Sequence, residues 1–191
     1  MKKLVLVTSP PACGKTFVTK KLAKAMKNCV YLDKDSLIVL SKQIFKIGHQ
    51  EYNRSSDFFE REIRDYEYDC IMEIAMDALE YNDTVFINAP FTREVRTKGY
   101  MKNLRRELLR KKGAELVVVW VKCDVDVCKA RMIKRNSDRD TWKLEHWDEY
   151  IAGQDFSLPE GIKNLFVFDN SSEDKLWDSI HKAEEYLKNL K

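Results

Sequence analysis

The stretch that decides the fold is Ser9-Pro10-Pro11-Ala12-Cys13-Gly14-Lys15-Thr16. It follows an apolar run at residues 4–7 and leads into a helical pattern that begins near Phe17. This succession of a strand, a tight loop ending in Gly-Lys-Thr and a helix is typical of sites that bind nucleotide phosphates. The N–H groups of the loop and the positive end of the helix dipole both point at the bound anion. We therefore predict a nucleotide-phosphate site here. The alternative is an ordinary strand-turn-helix with an incidental Gly-Lys-Thr.

The residues of this loop divide into side-chain and backbone roles. Lys15 is expected to reach the β- and γ-phosphates, and the Thr16 hydroxyl is expected to bind Mg²⁺. The other predicted nucleotide contacts are Ser9, Pro11, Ala12, Cys13, Gly14 and Phe17. Ser9 stands where the G-x-x-x-x-G-K-[ST] pattern has its first glycine, and an extended backbone would tolerate a serine there. From Cys13 we expect a backbone N–H contact first and a reactive thiol second.

The composition is that of a soluble globular protein, with 44% hydrophobic and 34% charged residues in a chain of 191. This length fits a single domain, residues 1–191, with a small lid. The net charge of +3 is too small to predict nucleic-acid binding by itself. No apolar run approaches the ~20 residues that span a bilayer, so no membrane partner is expected. Five cysteines without a C-x-x-C pair indicate a reducing compartment, and we expect a cytoplasmic protein.

Strand and helix patterns alternate along the chain. Buried strands are predicted at residues 3–8, 29–32, 84–88, 115–121 and 164–168. Helices are predicted at 16–27, 36–45, 57–81, 93–112, 125–135 and 173–190, with the lid at 136–149. The alternation predicts an α/β fold, a doubly wound five-stranded parallel sheet flanked by helices. In such sheets ligands bind at the carboxyl ends of the strands, so functional residues are expected there.

The second predicted strand ends in Asp33-Lys34-Asp35, which brings two carboxylates beside the phosphate loop. Asp33 is expected to face Mg²⁺ through water. Asp35 is expected to accept a proton from a substrate hydroxyl during phosphoryl transfer. The alternative is that Asp35 or Ser36 only caps the following helix.

The third predicted strand ends in Asn88. An aspartate is common at this position in phosphate-loop enzymes, where it holds Mg²⁺. Asn88 keeps the hydrogen-bonding shape without the charge, which weakens the prediction of a hydrolytic ATPase. Phe91 and Arg93 follow, near the expected second substrate. Arg93 is either a contact for an anionic group or a solvated residue in the first turn of a helix.

Positive charge recurs just before the predicted lid. Arg131 and Arg135 lie four residues apart on one helical face, and Arg139 follows in the loop. Phosphoryl transfer needs cations over the migrating group, and a closing loop would bring these arginines there. Arg131 alternatively stacks on adenine, and the whole segment is alternatively a solvated basic face. After the fifth strand, Ser171 either contacts adenine or, with Ser172, caps the last helix.

With Gly14-Lys15-Thr16, the paired aspartates and the lid arginines, the chain resembles the small P-loop kinases. Within that group it is similar to shikimate kinase, gluconate kinase, zeta-toxin and polynucleotide-kinase-like proteins, loosely called AAA-family ATPases. The resemblance implies a P-loop NTPase fold with the sheet order 2-3-1-4-5. It also implies roles for six residues. Lys15 and Thr16 would bind the nucleotide and Mg²⁺, and Asp35 would engage the acceptor hydroxyl. The lid arginines would be Arg131, Arg135 and Arg139. Ser9 and Asn88 depart from the family pattern.

Together these expectations describe an ATP- and Mg²⁺-dependent kinase that acts on a hydroxyl of a small metabolite, as a monomer or homodimer. The catalytic residues are then Lys15, Asp35, Arg135 and Arg139. The acceptor is expected to contact Asp35, Arg61, Arg64, Phe91 and Arg93. One alternative is a nucleotide or polynucleotide 5′-end kinase that uses the basic segment 98–112. Another is an ATP-binding regulatory module with slow hydrolysis.

Overall fold

The structure is a computed structural model that describes residues 1–137 and 140–190. In those residues five parallel strands form one sheet in the order β2-β3-β1-β4-β5. The strands are β1 (Lys2–Thr8), β2 (Cys29–Asp33), β3 (Thr84–Asn88), β4 (Ala114–Lys122) and β5 (Leu165–Asp169). The predicted fold class and strand order are confirmed.

Helices connect the strands and cover the sheet. They are α1 (Lys15–Ala25), α2 (Ile38–Ile47), α3 (Asp57–Glu62), α4 (Arg64–Tyr81), α5 (Tyr100–Lys112), α6 (Val125–Arg135), α7 (Thr141–Glu145), α8 (Trp147–Ala152) and α9 (Glu173–Asn189). A 3₁₀ turn, Lys34–Leu37, lies between β2 and α2. Within the described ranges, no helix combines the length and the apolar character that crossing a membrane requires.

The predicted helix 57–81 is divided in the structure, which corrects the sequence-based boundary. The break between α3 and α4 falls at Ile63, whose φ of −130° is not helical. Ile63 is buried in a small apolar cluster with Phe45 and Phe59. Packing of this side chain therefore overrides the local helical pattern.

The predicted helix 93–112 is shorter than expected. Only Tyr100–Lys112 is helical, and residues 93–99 form turns. Gly99 precedes the helix with φ +81°, a left-handed conformation that a continuous helix cannot contain. The turns place the segment after β3 at the carboxyl edge of the sheet.

The core lies in two layers because side chains of the central strands alternate between the faces of the sheet. On one face, Leu4 and Leu6 of β1 belong to a core with buried residues of α4 and α5. On the other face, Val5 and Val7 belong to a core with α1, α6 and α9. Both layers leave the carboxyl ends of the strands uncovered by helix bodies, and the polar strand-end residues meet at this edge.

Candidate active site: the cleft at the phosphate loop

The phosphate loop, residues 9–14 between β1 and α1, bends through two left-handed residues. Ala12 has φ +63° and Gly14 has φ +87°. The N–H groups of Ala12 and Gly14 donate no hydrogen bond to any residue that the structure describes. N–H groups that are left without a partner at a helix N-terminus can bind an anion, so the loop fits the phosphates of a nucleotide.

Gly14 is the point at which the loop is most closely packed. A Cβ at this position would lie 2.4 Å from Nδ2 of Asn170 and 3.5 Å from a guanidinium nitrogen of Arg131. Both side chains support the loop from behind. Asn170 donates to the Cys13 carbonyl at 2.8 Å, and Arg131 donates to the Asn170 carbonyl at 2.8 Å. Glycine is thus required here both for the backbone conformation and for the close approach.

The Cys13 side chain does not contribute to the cleft. Its thiol is fully buried, with Sγ 3.7 Å from Sγ of Cys128 on α6. The reactive thiol expected from the sequence therefore has no access to solvent, because the loop turns this side chain into the core. Cys13 contributes to the phosphate loop through its main chain, and its carbonyl accepts the hydrogen bond from Asn170 that supports the loop.

Thr16 and Asn88 are hydrogen-bonded to each other at the carboxyl ends of the strands. Asn88 Nδ2 donates to Thr16 Oγ1 at 3.0 Å. The Asn88 Oδ1 and Thr8 Oγ1 atoms are buried without a hydrogen-bond partner among the described residues. Buried oxygens are normally satisfied, and oxygen atoms are the donors that Mg²⁺ takes, directly or through water. The three residues therefore fit a hydrated Mg²⁺ beside the phosphate loop.

The two aspartates after β2 differ in their surroundings. Asp33 accepts hydrogen bonds from the Tyr31 hydroxyl at 2.6 Å and from the Asp35 N–H at 3.1 Å. Burial and the Asp33 carboxylate raise the pKa of Tyr31, so the phenol remains a donor. Asp33 thus caps the 3₁₀ turn, while the Asp35 carboxylate is exposed and lines the cleft. Capping was predicted as an alternative for Asp35 or Ser36, and the structure assigns it to Asp33.

The cleft has a volume of about 930 Å³. Most predicted site residues line it: Ser9, Pro11, Ala12, Gly14, Lys15, Thr16, Phe17, Asp33, Asp35, Arg93, Arg131 and Arg135. Residues that were not predicted complete the lining: Pro10, Pro90, Thr92, Arg96, Lys143, Gly153, Gln154 and Asp155. Cationic side chains outnumber acidic ones along these walls, as a polyphosphate requires. Arg139 lies outside the described residues.

Four predicted site residues, besides Cys13, do not line the cleft in the described structure. Arg61 is exposed on α3 and pairs with Glu62, the next residue. Arg64 is buried and donates to Glu94 Oε1 at 2.7 Å. Phe91 is packed in the core.

Ser171 also lies beside the cleft and not in its wall. It donates to Asp169 Oδ1 at 2.6 Å and accepts from the Asp124 N–H at 3.1 Å. The helix cap that was its alternative role belongs to Ser172, which accepts from the Lys175 N–H. The residue at this strand end that reaches the phosphate loop is Asn170.

A buried carboxylate of the lid segment holds two cations, one just before the lid and one within it. Arg135 Nε donates to Asp140 Oδ2 at 2.8 Å, and Lys143 lies 3.5 Å from Asp140 Oδ1. The Asp140 side chain is fully buried. Arg135 and Lys143 both line the cleft, and the Asp140 carboxylate fixes the orientation of both side chains.

Arg96 is a lining residue that the sequence did not indicate and that makes several hydrogen bonds. It donates to the carbonyls of Asp155 at 3.1 Å and Ser157 at 2.9 Å, and it pairs with Asp155 Oδ2 at 3.0 Å. It therefore joins the turns after β3 to the segment that follows α8. A pattern of charges could not have found it, since its partners lie about sixty positions away in the chain.

The fold and this loop together define the chain as a P-loop protein of the type seen in small kinases. The family model described as "AAA domain" matches residues 4–156, and the chain belongs to that family. No match is found among the curated proteins.

Several solved structures share the fold over nearly the full length of both chains. A candidate kinase from Chloroflexus aurantiacus J-10-fl has 17% identity and a TM-score of 0.66, with 97% of this chain and 98% of that chain covered. A sugar kinase from Janibacter sp. HTCC2649 has 14% identity and a TM-score of 0.57, with 98% and 95% covered. A gluconokinase from Sinorhizobium meliloti 1021 has 14% identity and a TM-score of 0.56, with 97% and 95% covered. At such identities the similarity establishes the fold.

Proposed function

We propose that this chain is an ATP- and Mg²⁺-dependent phosphotransferase that acts on a hydroxyl group of a small molecule. The observation that carries the proposal is the presence, in one cleft, of a phosphate loop with Lys15 and of the exposed carboxylate of Asp35. A phosphate loop alone supports nucleotide binding. A carboxylate free to accept a proton is what transfer to a hydroxyl additionally needs. The gluconokinase and sugar kinase that share the fold support the same class.

The nucleotide end of the cleft holds and orients the phosphates. The loop N–H groups bind phosphate oxygens, and Lys15 neutralises the charge that develops on them. Thr16, with Asn88 and Asp33 acting through water, would hold Mg²⁺, which when bound offsets the charge of the transferring group. Arg131 supports the loop from its position beside Asn170, and its guanidinium also lines the adenine side of the cleft in this proposal.

The acceptor end performs the proton transfer. Asp35 accepts the proton of the acceptor hydroxyl as the acceptor oxygen bonds to the γ-phosphorus of ATP and the bond from that phosphorus to the ADP oxygen breaks, which releases ADP. Arg93, half-exposed and paired with Glu60, lies nearby and would contact a polar or anionic substituent of the acceptor. The lid, about residues 136–149, brings Arg135 and Lys143 over the phosphates and excludes water when it closes. We assign Arg139 to the same lid by its place in the sequence.

The test is ADP release by the purified protein with Mg·ATP, measured against a panel of hydroxylated small molecules and a 5′-hydroxyl oligonucleotide. We expect one small molecule to stimulate ADP release strongly. Lys15→Ala should abolish both nucleotide binding and turnover. Asp35→Ala should bind ATP as the unchanged protein does and lose turnover by at least about 100-fold. Stimulation that survives Asp35→Ala would contradict the assignment of the base.

A second candidate is an ATP-binding regulatory module with slow hydrolysis. Asn88 favours it, because the strand-end position beside Thr16 carries an amide instead of a carboxylate. In that case ATP binds, no compound on the panel stimulates turnover, and Asp35→Ala changes neither quantity. A nucleic-acid acceptor is less favoured, because three of the seven cations of the basic segment 98–112 are paired with carboxylates: Arg105 with Glu115, Lys111 with Glu107 and Lys112 with Glu80.

We place the activity in a reducing, cytoplasmic setting. All five cysteines are free thiols, and three of them are buried in the core behind the phosphate loop: Cys13, Cys123 and Cys128. A chain folded with unpaired thiols at this position suits a compartment that keeps them reduced.

A further inference from the structure

A buried ionic cluster lies behind the two aspartates. Glu67 of α4 accepts hydrogen bonds from three separate segments. Lys34 Nζ lies 2.5 Å from Oε2, the Arg54 guanidinium donates to both carboxylate oxygens at 2.7 Å, and the Ser41 hydroxyl donates to Oε1. We call these four residues the Glu67 cluster. The Lys34 and Glu67 side chains are only 3% and 4% exposed.

The members of the cluster come from the parts of the chain that border the acceptor end. Lys34 lies in the 3₁₀ turn, Ser41 in α2, and Arg54 in the segment between α2 and α3. Glu67 is the shared anchor, and it belongs to a long helix that packs on the sheet core. Fixing three segments to one carboxylate fixes their positions relative to the sheet.

Lys34 is the member that bears on catalysis, because it stands between Asp33 and Asp35. Its ammonium is drawn into the protein, where it also lies 5.2 Å from the centre of the Tyr68 ring. Asp33 is held on one side by the Tyr31 hydroxyl. With residues 33 and 34 both anchored, the exposed Asp35 carboxylate is directed into the cleft.

Apolar contacts hold part of this region as well. The outer face of α2 is exposed, including Val39, Leu40 and Ile47. Apolar packing comes from Leu37 of the 3₁₀ turn, which lies against the main core, and from the small apolar cluster of Phe45, Phe59 and Ile63. That cluster ties α2 to α3, but it does not contact the turn that carries Asp35.

We propose that Glu67 is a positioning residue for the phosphoryl-transfer reaction, acting through Lys34 to hold the Asp35 carboxylate in the cleft. The proposal rests on the proposed function, in which Asp35 accepts the acceptor proton. Glu67 does not itself line the cleft, and the side chains that donate hydrogen bonds to it, Lys34, Ser41 and Arg54, lie outside the phosphate loop. Its loss should therefore impair turnover and leave nucleotide affinity intact.

The first variant is Lys34→Met, which keeps the apolar stem and removes the ammonium. The cluster contains two cations and one carboxylate, so this change leaves Glu67 in a neutral bidentate pair with Arg54. The variant should fold for that reason. We expect kcat to fall by about 10- to 100-fold, the scale for a misplaced catalytic group, with the Kd for a non-hydrolysable ATP analogue within threefold. Turnover is read as ADP release with the stimulating acceptor or, lacking one, with water.

The second variant is Glu67→Gln, with Glu115→Gln as its matched control. Glu115 is also a buried glutamate held by a bidentate arginine, Arg105, and by a neutral donor, Asn164. It lies near the start of β4, at the amino-terminal end of the strand, whereas the cleft lies at the carboxyl ends of the strands. Glu67→Gln should lower kcat as Lys34→Met does, and Glu115→Gln should leave kcat within threefold. Equal losses in both variants would show that Glu67 acts through stability alone.

A measurement without turnover separates this inference from the proposed function. The side-chain carboxyl ¹³C resonance of Asp35 should shift in Lys34→Met and Glu67→Gln and stay unchanged in Glu115→Gln. If the protein proves inactive but these shifts appear, the positioning stands and the proposed function fails. An unshifted Asp35 resonance, or a folded Lys34→Met that turns over within threefold of the unchanged protein, overturns the proposal.

Discussion

The two ends of the cleft are built in different ways. The nucleotide end comes from one continuous stretch, residues 9–17, supported by Asn170 and Arg131 through hydrogen bonds to main-chain carbonyls. The acceptor end is supported from outside the cleft wall by ion pairs between separate segments, among them Arg64 with Glu94 and Arg54 with Glu67. The first end is therefore encoded locally, whereas the second depends on contacts that the fold must bring together.

This difference also separates the energetics of the two ends. When the donor to a main-chain carbonyl is removed, the group left without a partner is neutral. A buried ion pair that loses one member leaves an uncompensated charge in a medium of low dielectric constant. Substitutions at the acceptor end should accordingly affect folding more than substitutions of similar size at the nucleotide end.

The largest expected effect is on the pair of Arg64 and Glu94. Their side chains are 10% and 8% exposed, and Arg64→Met leaves the Glu94 carboxylate buried without its cation. We expect a loss of about 3–5 kcal/mol in the free energy of unfolding, measured in urea. Arg93→Met, which breaks an exposed pair with Glu60, serves as the control and should cost less than about 1 kcal/mol. Similar losses in the two variants would remove the distinction between buried and exposed pairs at this end.

The next effect is a pH dependence that belongs to the acceptor end. Burial by itself raises the pKa of Glu67, but hydrogen bonds from Arg54, Lys34 and Ser41 outweigh it and hold the pKa at about 2, against 4.5 unperturbed. A depressed carboxyl pKa stabilises the fold fully above pH 4.5, and this contribution is lost as the pH falls toward 2. It amounts to about 3 kcal/mol at neutral pH.

Unfolding of the unchanged protein and of Glu67→Gln, compared from pH 7 to pH 3, tests this sign. The difference in stability between them should shrink by about half or more at pH 3, where much of the carboxylate's advantage is gone. Glu115→Gln provides the comparison at a buried pair far from the cleft. A difference that stays constant across this range would mean that the Glu67 pKa is not depressed.

The contrast between the ends explains how much could be predicted from the sequence. The sheet order was implied by the resemblance to the small P-loop kinases. The phosphate loop and the placement of Lys15, Thr16 and Asp35 followed from contiguous patterns whose geometry is set by strand and helix. The acceptor contacts were harder, because the sequence predicts Arg64 as an acceptor contact or a surface partner of Asp65, whereas in the structure it is buried and pairs with Glu94, thirty positions later. Charge patterns along the chain do not encode which opposite charge the fold brings near.

A smaller effect is expected from Gly14→Ala at the nucleotide end. The left-handed conformation costs an alanine about 1–2 kcal/mol, and the new methyl also displaces Asn170. Gly161→Ala is the control, since Gly161 has φ +71° and nothing within 4 Å of an added Cβ. Both variants should lose similar stability from the backbone, but only Gly14→Ala should weaken binding of a non-hydrolysable ATP analogue, by about 10-fold or more. Equal affinities in calorimetry would show that the loop tolerates movement of Asn170.

The smallest effect is expected from Arg61→Ala. This variant tests whether the acceptor end is rigid. Arg61 is 70% exposed and pairs with the adjacent Glu62, so its removal should leave the stability of the fold nearly unchanged. In the described structure it does not line the cleft, and kcat/KM for the acceptor should stay within twofold. Arg93→Ala is the matched comparison, because Arg93 is similarly exposed and paired but does line the cleft, and it should raise KM. If Arg61→Ala also raises KM at unchanged stability, α3 must move onto the acceptor during binding. The ion pairs of the acceptor end would then hold an open form that closes, and the two ends would differ in mobility as well as in construction.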